Sequence, residues 1–232
     1  MRTAAVFFDV DFTLIYPGPV FRGEGYRDFC ARYGVVVDPA RFEAGVAGAA
    51  PLLDSIDRGE AYDPEVFVAY TRGIIEHMGG SGPGVDAAAR EIYREWAACH
   101  HFELYDDVSD VLRGLAASGV RIGLISNTQR CLTSFQAHFE LQGLITVALS
   151  SFEHGFMKPH ASIFSAALAR MDVEAGRAMM VGDSIRHDVE GALGAGMRAV
   201  LLDRAGTAPA RAARLGVPVI RSLRELPQLL LG

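Results

Sequence analysis

Four short stretches of the sequence gather carboxylates, a hydroxyl, an amide and an ammonium. Asp9-Val10-Asp11-Phe12-Thr13 carries two carboxylates two residues apart. Ser126-Asn127-Thr128 offers hydroxyls and an amide, Lys158 an ammonium ahead of Pro159, and Gly182-Asp183-Ser184-Ile185-Arg186-His187-Asp188 two further carboxylates. Taken singly, each has a bland reading. A DxD or Ser-Asn-Thr often caps a helix, GDS often makes a turn, and a lone Lys-Pro is ordinary surface. Four separate accidents in this order explain less than one site does. The lysine adds its own signal: of 22 basic residues it is the only one that is not arginine, and an ammonium is a compact point charge that a planar guanidinium does not replace.

The chemistry follows from the residue types. Asp9, Asp11, Asp183 and Asp188 cannot gather without a compensating cation, because like charges repel and force protonation. Mg²⁺ suits such a set, since it accepts one or two carboxylates together with substrate phosphate oxygens. Once phosphate charge is masked, a carboxylate can attack phosphorus and form an aspartyl-phosphate. Ser126, Asn127 and Lys158 then supply donors for the oxygens of the transferring phosphoryl group.

Such a site needs elements that deliver these residues to one place. Val6-Phe7-Phe8 reads as a buried strand ending at Asp9. From about residue 102 helix and strand alternate: a helix with Val108, Val111, Leu112 and Leu115 capped by Asp106 or Asp107, a strand at 120–125, helix 129–141, strand 145–149, helix 160–171, strand 178–181, helix 186–195, strand 199–202, a short strand at 217–220 and a last helix. That alternation predicts an α/β fold, a doubly wound (Rossmann-like) parallel sheet with helices on both faces. Ligands of such sheets bind beyond the carboxyl ends of the strands, where Asp9, Ser126 and Asp183 fall. Residues 16–101 read differently. Helical periodicity over Tyr26, Phe29, Cys30 and Tyr33, over 39–54, over Phe67, Tyr70, Ile74 and Met78, and over Val85, Ala88, Ala89, Ile92 and Trp96 predicts an inserted all-helical domain with no strand. The core domain is then 1–15 with 102–232.

These motifs resemble the four signature motifs of the haloacid dehalogenase superfamily of hydrolases, and the insertion is similar to that family's helical cap of the first type. The resemblance implies Asp9 as nucleophile, Asp11 as general acid and base, and Ser126 and Lys158 as phosphoryl contacts. It places Mg²⁺ on the Asp9 carboxylate, the Asp11 carbonyl and Asp183, with Asp188 helping directly or through water. Family members that cleave carbon–halogen bonds usually carry Tyr two residues after the nucleophile, whereas Asp11 suits a phosphate ester, whose alkoxide leaving group needs a proton. A phosphatase acting on a small phosphorylated metabolite is therefore expected. The alternatives are a phosphomutase, a 2-haloacid dehalogenase, a receiver-like phosphoacceptor and a catalytically silent binding protein. Many relatives have Gly after the second Asp; Phe12 stands there, and a right-handed backbone would accommodate it.

Composition excludes other classes. The formal net charge of −6 argues against a nucleic-acid partner. No apolar run approaches the ~20 residues of a membrane span, and the short apolar stretch after Met1 is no signal peptide, so a cytoplasmic protein is expected. Cys30, Cys99 and Cys131 are expected as buried free thiols, Met179-Met180 as core, and His100-His101 as a solvated hinge. Tyr16, Arg22, Glu24, Arg130, His154, Arg186 and His187 could face a cleft, and the simpler reading of each is ordinary surface. Nothing in the sequence fixes the oligomeric state.

Overall fold

The computed structural model describes residues 3–54, 61–207, 212 and 214–230. Along the chain, β1 (Ala5–Phe8) and β2 (Ile15–Pro17) lead into four helices, α1 (Gly23–Ala31), α2 (Phe42–Asp54), α3 (Pro64–His77) and α4 (Val85–Glu95). Then come β3 (Phe102–Leu104), α5 (Val108–Ala117), β4 (Arg121–Ser126), α6 (Leu132–His138), β5 (Ile145–Ser150), α7 (Ser151–His154) and α8 (Ala161–Met171). The remainder is β6 (Ala178–Gly182), a π-helical turn (Ile185–Glu190) running into α9 (Gly191–Gly194), β7 (Arg198–Leu202), β8 (Val219–Ile220) and α10 (Leu226–Leu229). The chain divides into two compact units, Met1–Tyr16 with Leu104–Gly232, and Pro17–Glu103.

The first unit is built on a six-stranded sheet in the order β5-β4-β1-β6-β7-β8, with every pair parallel. All four β1 residues are buried, because the strand lies mid-sheet and is covered on both faces. Phe7 lies in register with Gly123 on β4 and Met180 on β6. A Cβ at Gly123 would come within 2.4 Å of the Phe7 ring, so glycine there lets the ring fill the space. The apolar core includes Phe7, Ile125, Leu149, Phe164, Met180 and Leu201, and Met179 and Met180 are buried as expected. The chain leaves β1 for β4 and β5 on one side and returns to β6, β7 and β8 on the other, so the order reverses around β1. The carboxyl ends of β4, β1 and β6 are neighbours, and they carry Ser126, Asp9 and Asp183.

The second unit is helical. Asp63 caps α3 by accepting from the Glu65 amide at 2.9 Å, and Pro64 starts the helix where no amide is needed. The buried stripe of α3 is Val68, Thr71, Ile74 and Ile75, while Phe67 and Tyr70, expected on that face, are half-buried. Val85, Ala88, Ala89 and Ile92 form the expected face of α4. Phe21 gathers Phe29, Trp96, His101 and Phe102 within 6.5 Å between ring centres.

Several expectations change. The block 16–101 touches strand at its edges, because β2 runs to Pro17 and pairs with β3 where the chain passes from one unit to the other. The helix expected at 39–54 opens with a tight 3₁₀ turn at Pro39–Arg41. The helix expected at 186–195 begins as the wider π turn, and the short α7 was not anticipated. Of the cysteines only Cys30 is buried; Cys99 is half-buried and Cys131 exposed, and none of the three forms a disulfide. Among the described residues no helix is long and apolar enough to cross a membrane.

Candidate active site

Asp9 leaves the end of β1 with its amide on the Val181 carbonyl at 3.0 Å, which fixes it between β4 and β6. Lys158 Nζ, 2 % exposed, donates to Asp9 Oδ1 at 2.6 Å and to Asp188 Oδ1 at 2.6 Å. The lone lysine therefore joins the first and last of the four stretches. Asp188 is itself buried, and its second oxygen accepts from the Ser184 amide at 3.0 Å. That geometry depends on two local features. The π turn carries Asp188 back under the strand end, and Gly182 leaves room for it: a Cβ there would lie 2.2 Å from the carboxylate.

Carboxylate oxygens of Asp9, Asp183 and Asp188 lie within 4.8 Å of one another. One ammonium cannot balance three carboxylates. Burial, then the Asp188 and Asp11 charges, push Asp9 up to about 7 against the pull of Lys158. Asp183 is partly open to solvent, yet desolvation, and then the Asp9 and Asp188 charges, hold its carboxyl well above the usual range. Lys158 moves the other way. Burial would lower it, yet the two carboxylates outweigh burial and keep it charged. A set of hard oxygen ligands with surplus negative charge fits a divalent cation such as Mg²⁺.

Asp11 stands apart from this set. Its carboxylate lies on Arg130, whose Nη1 is 3.0 Å from Oδ1 and 3.1 Å from Oδ2. Contrary to the ordinary surface residue the sequence suggests, Arg130 is buried, its side chain 0 % exposed. An arginine four residues after Ser126 on a strand-end loop was the available signal, since that loop must approach β1. Asn127 also differs from expectation. Its side chain accepts from the Lys158 amide at 2.7 Å and donates to the Lys158 carbonyl at 2.9 Å, so the amide clasps the lysine backbone. Ser126 is buried at the end of β4.

Phe12 overturns the expected right-handed backbone. Its φ is +62°, with its amide on the Ile15 carbonyl at 2.7 Å and the Leu14 amide on Val10 at 2.8 Å. The chain doubles back directly after Asp11, and that turn demands the left-handed conformation glycine adopts freely. A phenylalanine there costs about 1–2 kcal/mol, and its ring is 45 % exposed. Arg22 and Glu24 are exposed, while Tyr16, His154, Arg186 and His187 are half-buried. His101 is held by Glu95 at 3.0 Å, and His100 is exposed beside it.

A family model described as haloacid dehalogenase-like hydrolase matches residues 3–196. A ribulose-1,5-bisphosphate 5-phosphatase of Halopiger xanaduensis is 31% identical over 86% of this chain and 84% of its own. A glyceraldehyde 3-phosphate phosphatase of Methanothermobacter thermautotrophicus is 30% identical over 97% and 99%. Among solved structures, a 2-haloacid dehalogenase of Pseudomonas syringae is 27% identical, covers 100% of this chain and 99% of its own, and superposes with a TM-score of 0.65.

Proposed function

The chain belongs to the haloacid dehalogenase-like hydrolases, and on that premise we propose that it is a Mg²⁺-dependent phosphatase that hydrolyses a small phosphorylated metabolite through an aspartyl-phosphate on Asp9. The observation that carries this reading is the Lys158 ammonium set between Asp9 and Asp188 in a group of carboxylates whose charge it cannot balance. Asp9, Asp183 and Asp188, with the Asp11 carbonyl, would hold the Mg²⁺, which masks phosphate charge so that an anionic nucleophile can approach. Asp188 already has a protein donor on each oxygen, so it acts mainly as a charge beside the ion or through water.

In the first step an Asp9 oxygen attacks phosphorus, the bond to the ester oxygen breaks, and Asp11 gives that oxygen a proton. In the second, water attacks the phosphorus and gives a proton back to Asp11, the bond to Asp9 breaks, and phosphate leaves. Ser126 and Lys158 hold the phosphoryl oxygens. Asn127 serves through its clasp on the Lys158 backbone, leaving its main-chain amide as its donor to substrate. The helical unit, inserted just after the nucleophile loop, would act as the cap that selects substrates. The two named relatives are phosphatases of phosphorylated carbohydrates, which supports a substrate of that size. The solved dehalogenase does not redirect the reading, because Asp11 supplies the proton that an alkoxide needs and a halide does not.

The test is turnover of phosphorylated sugars, glycolate and nucleotides with Mg²⁺, beside Asp9→Asn. The variant is expected to keep its circular dichroism and lose nearly all phosphate release; retention of more than about a tenth of the wild-type rate would overturn covalent catalysis at Asp9.

A further inference from the structure

The segment from Ser126 to Arg130 does more than deliver a hydroxyl. Asn127 clasps the backbone of Lys158, the Thr128 hydroxyl accepts from the Arg130 amide at 3.0 Å, and the Arg130 guanidinium touches both oxygens of Asp11 through one nitrogen. Arg130 is fully buried while Asp11 remains 16 % exposed, so the arginine approaches Asp11 from the protein side and leaves it accessible from solvent. A carboxylate on a short turn has two free torsions, and gripping both oxygens fixes them. Misplacing a proton-transfer group by 1 Å costs on the order of a hundredfold in rate.

We propose that Arg130 is a positioning residue of the hydrolytic reaction, aiming the Asp11 carboxylate at the leaving oxygen. The proposal rests on the phosphatase reading above. It ties the aim of Asp11 and the place of Lys158 to one five-residue loop, so both the proton donor and the phosphoryl contact take their positions from the end of β4.

The consequence is selective. An alkyl phosphate needs a proton on its leaving oxygen, whereas p-nitrophenyl phosphate leaves as a stable anion and needs little help. The experiment measures kcat/KM, which reports events through departure of the leaving group, for both esters with Mg²⁺. Arg130→Met is expected to lose about thirtyfold on the alkyl ester and less than about threefold on the nitrophenyl ester. Because a single nitrogen, Nη1, reaches both Asp11 oxygens, Arg130→Lys should recover most of the alkyl-ester loss. In an Asp11→Asn background, Arg130→Met should cost nothing further, since the group it aims is gone.

Removing a buried guanidinium can prevent folding. Arg130→Lys and the Asp11→Asn/Arg130→Met pair, which leaves no buried charge unmatched, then carry the test: Arg130→Lys should fall more on the alkyl than on the nitrophenyl ester, and the pair should match Asp11→Asn alone. Equal losses on both esters, or a loss in the double variant that adds to that of Asp11→Asn, would overturn the positioning role while wild-type, Asp9-dependent turnover kept the phosphatase reading intact. Absence of that turnover in the wild type would instead remove the reading itself.

Discussion

Ion pairs serve opposite ends in the two units. In the sheet unit the pairs that hold the site and its flank are buried, Lys158 with Asp9 and Asp188, Arg130 with Asp11, and Arg204 with Asp107, whose side chain is 1 % exposed, while Arg224 with Asp106 lies at the surface. In the helical unit most lie in solvent, such as Arg90 with Glu65 and Asp86 and Arg27 with Glu24, and Arg32 with Glu91 is half-open. Water and salt screen the second kind, and such pairs contribute about 0–1 kcal/mol each. Breaking a buried pair leaves an uncompensated charge and costs about 3–5 kcal/mol. The same residue types therefore fix atoms in one unit and merely decorate helices in the other.

The comparison breaks most visibly at Lys158. Lys158→Arg should cut turnover about a hundredfold, or ~3 kcal/mol of barrier, nearly as much as Lys158→Ala, because a planar guanidinium does not fit between two carboxylates 2.6 Å away on either side. Steady-state rates at saturating Mg²⁺ within twofold of wild type would show that the buried ammonium is replaceable.

Asp107 tests stability rather than rate. It accepts from Arg204 at 2.9 and 3.1 Å, from the Ser222 hydroxyl at 2.7 Å and from the Leu223 amide at 2.8 Å. Burial alone would raise its carboxyl, but these donors outweigh burial and hold it below its usual value. Asp107→Asn should cost about 3 kcal/mol in urea unfolding at neutral pH. A depressed carboxyl contributes its stability above the unfolded pKa of roughly 4 and loses it as pH falls through the lower folded value. The gap between wild type and Asp107→Asn should therefore be constant near neutrality and close on acidification below about pH 4; a gap that widens there would reverse the assignment.

Two smaller effects sharpen the contrast. Phe12→Gly should stabilise the protein by about 1 kcal/mol, strain relief exceeding the entropy that glycine costs, as read from thermal unfolding. Arg90→Ala should leave the unfolding midpoint close to that of wild type, and any shift should shrink further in 1 M salt. A larger loss would place Arg90 with the buried pairs.

The same contrast explains what the sequence reveals. Strand β1 and its flanking α/β alternation are legible because a strand buried on both faces writes an uninterrupted apolar run, and the carboxylates stand where that run stops. Asp9, Asp183, Asp188 and Lys158 are legible together because their charges make sense only as a set. Arg130 is not, since one arginine among 21 announces no burial, and its partner lies 119 residues away. The left-handed turn at Phe12 hides for a related reason: the residue that normally marks such a turn is absent, and only the backbone bonds around it disclose the geometry. The π turn is equally silent, because nothing in the residue types of Ile185–Glu190 marks a wider winding, and Asp188 seats beneath Gly182 only once the turn has formed.

The position of β1 also sets an order of events during synthesis. Its partners are residues 121–124 on one side and 178–181 on the other, so at roughly 5–20 residues per second the ribosome adds the second partner about 10–35 s after β1 has been made. Residues 17–103 are contiguous and can close their own contacts within that interval. Until residues 121–124 are made, the strand Ala-Val-Phe-Phe has both hydrogen-bonding edges open, and one edge stays open until residues 178–181 follow, the condition under which apolar strands pair with the wrong chain. A nascent-chain chaperone that shields residues 5–8 should therefore raise the yield of folded protein far more than one that acts on the helices made after it.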